Sequence, residues 1–378
     1  MSKLDEFLKI YVGNLPRVRL KRIFYFDESN NIRKGKIGEE RDNNDDLENL
    51  YFTLGGIAIK KPIEFQKLLD YIGAKQKPVD AKYDFFTLKN KKFIEAIAQR
   101  RLRKFFEYLN EEDIIIHFAV EHYFHFALVD ILDSLIEESD YNQEVAFRFY
   151  KELQSDMTEV LYNDFNSLHR LLVNYEFPNI HKDKANDFIR AILDLYTINL
   201  NNYYDLNEPN NFTKELLRQI IKSKRHKNNL VFLENNEPYV ISDSMSQLYL
   251  QRMYNFQDKK LFDNEPLIET ALRQFDKNYE VKLNAKFCDS ANLREIQICD
   301  AISGFVGRLF NFLSKTDENK ILRFVKELDK ESESFKTLKA FFDLIEKSDK
   351  ESEICFLKIN PLYIDKRFDV LRNEIENR

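Results

Sequence analysis

"RIFYFDESNN", residues 22–31, decides how the rest of the chain is read. Its first half is rich in aromatic and β-branched residues, the composition of a strand. Its second half is two carboxylates, a serine and two asparagines. Asp, Ser and Asn are ordinary turn formers, so a strand running into a turn is one explanation. The other is that the strand carries an acid to a site at its end. Side chains alternate along a strand. Ile23, Tyr25 and Asp27 therefore share one face, and Phe24, Phe26 and Glu28 the other. Asp27, nearer the strand body, is the preferred site residue. Glu28 supports it or points to water.

Working outward, residues 1–20 read as a short arm, and Asn30–Asn31 as a turn. "IRKGKI" reads as a short second strand, and "GEERDNNDDLEN" as a polar loop. "LYFTLGGIAIK" reads as a third strand with a glycine pair, which makes an antiparallel meander. "PIEFQKLLDYIGA" is helical with a proline at its start. "KKFIEAIAQRRLRKFFEYLN" has apolar residues at helical spacing and predicts one helix. "DIIIHFAVE" is apolar on both faces, as a central strand is. Residues 124–225 predict an all-helical insertion. "LVFLEN" predicts a short strand, "SDSMSQLYLQRMY" a capped helix, and "KKLFDNE" and "EVKLNAKFCDS" further strands. "NLREIQICDAISGFVGRLFNFLSK" predicts a long amphipathic helix. The tail from residue 316 is helical, with an extended "CFLKINPLYI" near its end.

Acids recur at the ends of the strands. Glu121 closes the fourth strand on the face of Ile115, His117 and Ala119, and Asp263 closes "KKLF". In open sheets with helices on their faces, ligand sites lie outside the carboxyl ends of the strands. On the long helix, Asp300, Ser303, Gly304 and Gly307 fall on one face. Glycine inside a helix costs about 1 kcal/mol relative to alanine. Two beside one acid imply that a strand backbone or a ligand comes close there. Converging acids repel unless protonated or bridged by cations. Hard oxygen ligands favour Mg2+ or Mn2+. Two such ions activate a water and stabilise a leaving oxygen in phosphodiester cleavage.

Composition narrows the classes. The chain has 378 residues, 43% of them hydrophobic, with 33 Phe, 19 Tyr and no Trp. Gly and Pro, at 8 each, are too few for a disordered or turn-rich all-β chain. No apolar run approaches the roughly 20 residues that span a bilayer. The first residues lack a signal-peptide layout, so a soluble cytoplasmic protein is expected. Cys288, Cys299 and Cys355 make neither a disulfide framework nor a zinc site. A net charge of −6 leaves nucleic-acid binding to a local basic patch.

Two motifs resemble those of the bacterial Domain of Unknown Function 3800 family. "FYFDES" resembles its N-terminal D-E-S signature. "FCDSANLREIQICDAISGFVGRLF" resembles its C-terminal one, a D-S pair followed by Q-x-x-D and small helical residues. Here these positions are Asp289, Ser290, Gln297, Asp300 and Gly304. "DAKYDFF" resembles the family's acid and lysine two residues apart, through Asp80 and Lys82. Glu121 and Asp263 resemble two further family acids. The glycine usual after the D-E-S serine is missing, and Cys299 stands where alanine is usual. Residues 124–225 and the tail lie outside the likeness. The resemblance implies a ribonuclease-H-like fold, metal-dependent nuclease activity and a setting near phage-defence genes.

Other constellations read as structural. His117, His122 and His125 are close in sequence, but alternation puts His117 and His122 on opposite faces. Ser290 has no G-x-S-x-G turn around it, and there is no phosphate-binding glycine loop. Two basic segments stand out, Lys89–Lys104 and Lys214–Lys227. A solvated helix face explains either. Alternatively, Lys222, Lys224 and Arg225 in the second track a nucleic-acid backbone.

The expectation is therefore an α/β protein with a ribonuclease-H-like mixed sheet. Its core is built from residues 1–123 and 226–315, with a helical insertion at 124–225 and a helical tail at 316–378. The expected activity is a two-metal nuclease or phosphoesterase dependent on Mg2+ or Mn2+. Asp27, Asp300, Glu121 and Asp263 are the expected metal ligands, with Asp80 joining the catalytic set. RNA or DNA is the expected partner, with a homo-oligomer or a defence-system protein as further partners and no membrane. The alternatives are a non-catalytic oligomeric binding or sensor protein on the same core, and a hydrolase of nucleotides or modified nucleic acid.

Overall fold

The computed structural model describes residues 17–29, 35–37, 51–74, 78, 80–89, 92–137, 143–206, 211–224, 229–242, 245–279 and 284–378. Most of the N-terminal arm, the Asn30–Asn31 turn and the polar loop before the third strand lie outside them.

Eight strands are described: β1 (Ile23–Ser29), β2 (Gly35–Lys36), β3 (Tyr51–Ile59), β4 (Ile114–His122), β5 (Val240–Ser242), β6 (Lys260–Asp263), β7 (Ala285–Cys288) and β8 (Phe356–Ile359). Six form one mixed sheet in the order β7-β6-β1-β3-β4-β8, while β2 and β5 pair separately. β1, β3 and β4 form an antiparallel meander. β6 joins β1 in parallel, β7 joins β6 in parallel, and β8 joins β4 in parallel. Both later strands fall where the hydrophobic pattern puts them. β3 and β4 are buried along their whole length, because helices cover both faces.

Alternation sorts the sheet into two cores. Tyr25, Ile57, Ile116 and Phe118 face the long helix Arg294–Lys315. Phe24, Phe26, Leu54 and Ala119 face Leu248, Tyr249 and Met253 of the helix Ser246–Asn255. The insertion adds helices from Tyr123 to Lys224. Its buried Leu132, Leu153, Leu161 and Leu217 belong to the first of these cores, so it shares the sheet's core.

Three expectations are corrected. The 91–110 helix breaks into Phe93–Ile97 and Arg100–Glu111, because Gln99 is extended and caps the second piece. The break lets Phe93 stack on Phe312 at 4.9 Å while Phe106 meets Phe341 at 5.4 Å. "LVFLEN" holds a 3-10 turn at Val231–Leu233 instead of a strand. The meander forms from β1, β3 and β4 and not from the first three strands, because β2 pairs with β5, while the extended run in the tail is β8, an edge strand of the main sheet.

The glycine pair in β3 is where β1, β3 and the long helix come closest. Gly56 lies opposite Phe26, and Gly55 opposite Asp27. A Cβ at Gly56 would sit 2.0 Å from the Tyr25 carbonyl oxygen and 2.8 Å from Cys299 Sγ. A Cβ at Gly55 would lie 3.4 Å from the Ser303 Cα. Gly56→Ala should therefore cost about 3 kcal/mol or more, since backbone cannot yield as a flexible side chain does. Urea unfolding of the variant beside the parent checks this, and an unchanged midpoint would contradict it.

Candidate active site

The site is built at the carboxyl ends of β1 and β6. Phe26 pairs with Phe262 in the parallel β1–β6 ladder, which puts Asp27 level with Asp263. Asp27 follows Tyr25 toward the long helix, as alternation requires. Its residue exposure is only 5%. Its Oδ1 accepts the Glu28 N–H at 2.8 Å, and its buried Oδ2 has no hydrogen-bond partner. A buried polar atom left in this state costs free energy unless something else satisfies it.

Asp263 ends β6 and holds the turn after β7. Its Oδ1 accepts the N–H of Asn264 at 2.8 Å and that of Ser290 at 3.1 Å. Asp289 caps the same turn by accepting the Ala291 N–H.

The long helix supplies the opposite wall. Asp300 Oδ2 accepts the Tyr83 N–H at 2.6 Å. One turn earlier, buried Gln297 accepts the Ala81 N–H at 3.1 Å and donates to the Ser290 carbonyl at 2.9 Å. Gln297 and Asp300 thus clamp residues 81–83 from one helix face, with Lys82 between the two anchored amides. Gly304 completes the seat: a Cβ there would meet the Tyr83 ring at 3.0 Å. What comes close to that glycine is a side chain, not a strand backbone. The Arg308 guanidinium, one turn on in the same helix, stacks over the Tyr83 ring 3.9 Å from its centroid and donates to the Gly304 carbonyl.

The charges are coupled. Burial pushes the Asp27 carboxyl well above its ordinary range, and the charges of Glu28, Asp300 and Asp263 push it further, with Lys82 opposing. Burial also raises Asp300, against the Tyr83 N–H, Lys82 and Arg308. Burial lowers Lys82, but Asp27, Asp300, Asp263 and Asp80 outweigh it and raise it. The Asp80 side chain is exposed, at the rim of this group.

Among the described residues, no three His, Cys, Asp or Glu side chains converge closely enough to hold a metal by themselves. The donor chemistry still fits a hard ion. Asp27 Oδ2 is unpartnered, and no described residue donates to Asp300 Oδ1 or Asp263 Oδ2. Mg2+ is commonly held by one or two carboxylates, with water and substrate phosphate oxygens completing its shell.

The structure does not bring Glu121 to this site. Glu121 pairs with Phe52, whose face is that of Leu54 and Phe24, the opposite side of the sheet from Asp27. Alternation within β4 is read correctly from the sequence; the cross-strand register that decides the shared face is not. The histidines are packed inside. His117 Nε2 lies 3.3 Å from the Ile57 carbonyl, and the ring sits 4.3 Å from that of Phe26. His122 meets Tyr51 edge-on, and His125 Nδ1 lies 2.7 Å from Thr158 Oγ1.

The second basic segment is corrected too. Lys224 is fully buried and cannot track a phosphate backbone, and Arg225 lies outside the described residues. Lys222 is exposed. Lys214 is buried in ion pairs of 2.6 Å with Asp156 and 2.7 Å with Glu159. Lys82, by contrast, is a cation at the acids; the D-x-K spacing marks it, while composition does not. No family model, no curated protein and no solved structure matches this chain.

Glu121 gives a stability test. Burial raises its carboxyl from 4.5 to about 7. Between those values the unfolded chain ionises Glu121 while the folded chain keeps it protonated. Stability therefore falls as pH rises through that window and levels off above it. Glu121→Gln should remove about 3 kcal/mol of that fall, from 1.36 kcal/mol per pH unit. Urea melts at pH steps across the window check this; parallel curves for parent and variant would contradict it.

Proposed function

We propose that this chain is a divalent-metal-dependent nuclease acting at Asp27, Asp300, Asp263 and Lys82. The observation that carries the reading is the sealed Asp27 carboxylate, one oxygen unpartnered, coupled to two further acids and a lysine. Acids are seldom buried without a partner unless function requires it. The sheet supports a ribonuclease-H-like core. An antiparallel meander is extended by two parallel strands beside its first strand, with the acids at their carboxyl ends. The motifs that resemble the Domain of Unknown Function 3800 family supply Asp27, Gln297 and Asp300.

Asp27 and Asp300 would hold Mg2+ or Mn2+, with Asp263 beside them. Such an ion, when bound, activates a water and offsets charge on the leaving oxygen of a phosphodiester. The protein's own groups do the rest. Lys82 offers an ammonium to a phosphate oxygen, as a point charge. Gln297 positions it by fixing the Ala81 amide, and Asp300 does so through Tyr83. Downstream of Lys82, the exposed Lys89, Lys92 and Arg100 give an anionic strand a local basic approach that the net charge of −6 does not.

The test is a cleavage assay on single- and double-stranded RNA and DNA with Mg2+ or Mn2+. Asp27→Asn and Asp300→Asn should each lose cleavage by about 100-fold or more, and Lys82→Ala by a similar factor. Asp27→Asn should also melt higher than the parent in EDTA, because it removes a buried charge that repels its neighbours. Full cleavage by both Asp variants would overturn the assignment. Loss of cleavage with a lower melting temperature would point to damaged folding instead.

A further inference from the structure

The opposite face of the sheet has a second acidic cavity that the cleavage reading does not use. It encloses about 270 Å³ between the end of β4, the helix Tyr123–Glu137, the segment leading into β5, and the helix Ser246–Asn255. Glu121, Asp130 and Glu237 bring three carboxylates to its wall, and among the described residues no lysine, arginine or histidine lines it. Glu121 carries the argument. It is 7% exposed, it lines the cavity, and no described residue hydrogen-bonds to its carboxylate. Asp130, half-buried, likewise receives no hydrogen bond from a described residue. Burial raises both carboxyls to about 7, and the neighbouring Asp133, which accepts from Tyr150, adds to the rise at Asp130.

We propose that this cavity binds a small organic cation, with an ammonium or guanidinium head and a short alkyl body. Two acids without donors, Glu121 buried and Asp130 half-buried, need a partner that brings both positive charge and N–H groups. Beside the polar Asn236 and Gln247, the wall carries apolar Phe126, Ile241, Met245 and Leu248, which give an organic cation's alkyl body a surface to pack on that a hydrated metal ion would not use. At about 270 Å³ the cavity lies near the lower end of ligand sites, which run from roughly 300 Å³ upward. A diamine or guanidinoalkylamine is of the right size, its two cationic ends facing separate carboxylates. The cavity opens on the sheet face away from Asp27, so the site is independent of the cleavage reading.

Agmatine is the probe, with 1-butanol as its neutral counterpart, in calorimetric titrations of the full chain near pH 8, where these carboxyls are ionised. Agmatine should bind with a sub-millimolar Kd, and butanol should give no comparable heat. Glu121→Gln keeps the side-chain shape and should weaken agmatine at least about tenfold, the loss of one charge-assisted hydrogen bond. Asp130→Asn should weaken it in the same direction. Thermal melts of both variants establish that they are folded. Absence of binding at about 10 mM agmatine, equal affinity in folded Glu121→Gln, or butanol binding as well as agmatine would each overturn the proposal.

Discussion

One unsatisfied carboxylate organises this protein. Asp27 is sealed at the end of the first strand, with one oxygen held by its own chain and the other unpartnered. Desolvation and like charges both work against its ionised form. A fold tolerates such a group when the strain is useful at a binding site. Everything nearby serves to bring compensating charge within reach. The Gly55–Gly56 pair lets the long helix close on the sheet beside Asp27. That helix then presents Gln297 and Asp300, and through them the amides on either side of Lys82.

The same geometry explains why residues so far apart in sequence act together. Asp27 and Asp263 are level because β1 and β6 run in parallel. Lys82 stays put because its flanking amides are fastened to the helix, and Tyr83 packs against both Gly304 and the Arg308 guanidinium. Lys82 offsets part of the negative charge but not all of it. On the proposed reading, the remainder would be offset by a divalent ion. On the reverse face, Glu121 and Asp130 line a cavity with no such internal cation among the described residues. The two faces therefore present opposite solutions: one acid group partly neutralised by its own lysine, the other left for a ligand to neutralise.

Much of this was legible in the residues. "RIFYFDES" and "DIIIHFAVE" announce strands because their apolar content is high and their ends are acidic. The long helix is plain from its spacing, and the cost of Gly304 marks a close approach beside Asp300. Residue spacing does not carry cross-strand register. Glu121 and Asp27 both end strands, yet the pairing Phe52–Glu121 against Gly55–Asp27 puts them on opposite faces. Nor does composition distinguish Lys224, which is buried, from Lys222, which is exposed. The break at Gln99 was hidden because both pieces keep helical spacing. The run that forms β8 reads as extended, but its place at the sheet's edge was hidden because its partner lies more than two hundred residues earlier.

The most direct measurement of the central claim is anomalous diffraction at the manganese edge, from crystals of the full chain equilibrated with Mn2+. The account predicts an ion about 2.1 Å from Asp27 Oδ2, the usual hard-cation distance, with an oxygen of Asp300 or Asp263 in the same shell. A well-ordered map in which Asp27 Oδ2 remains unpartnered, or in which manganese binds only elsewhere, would contradict it.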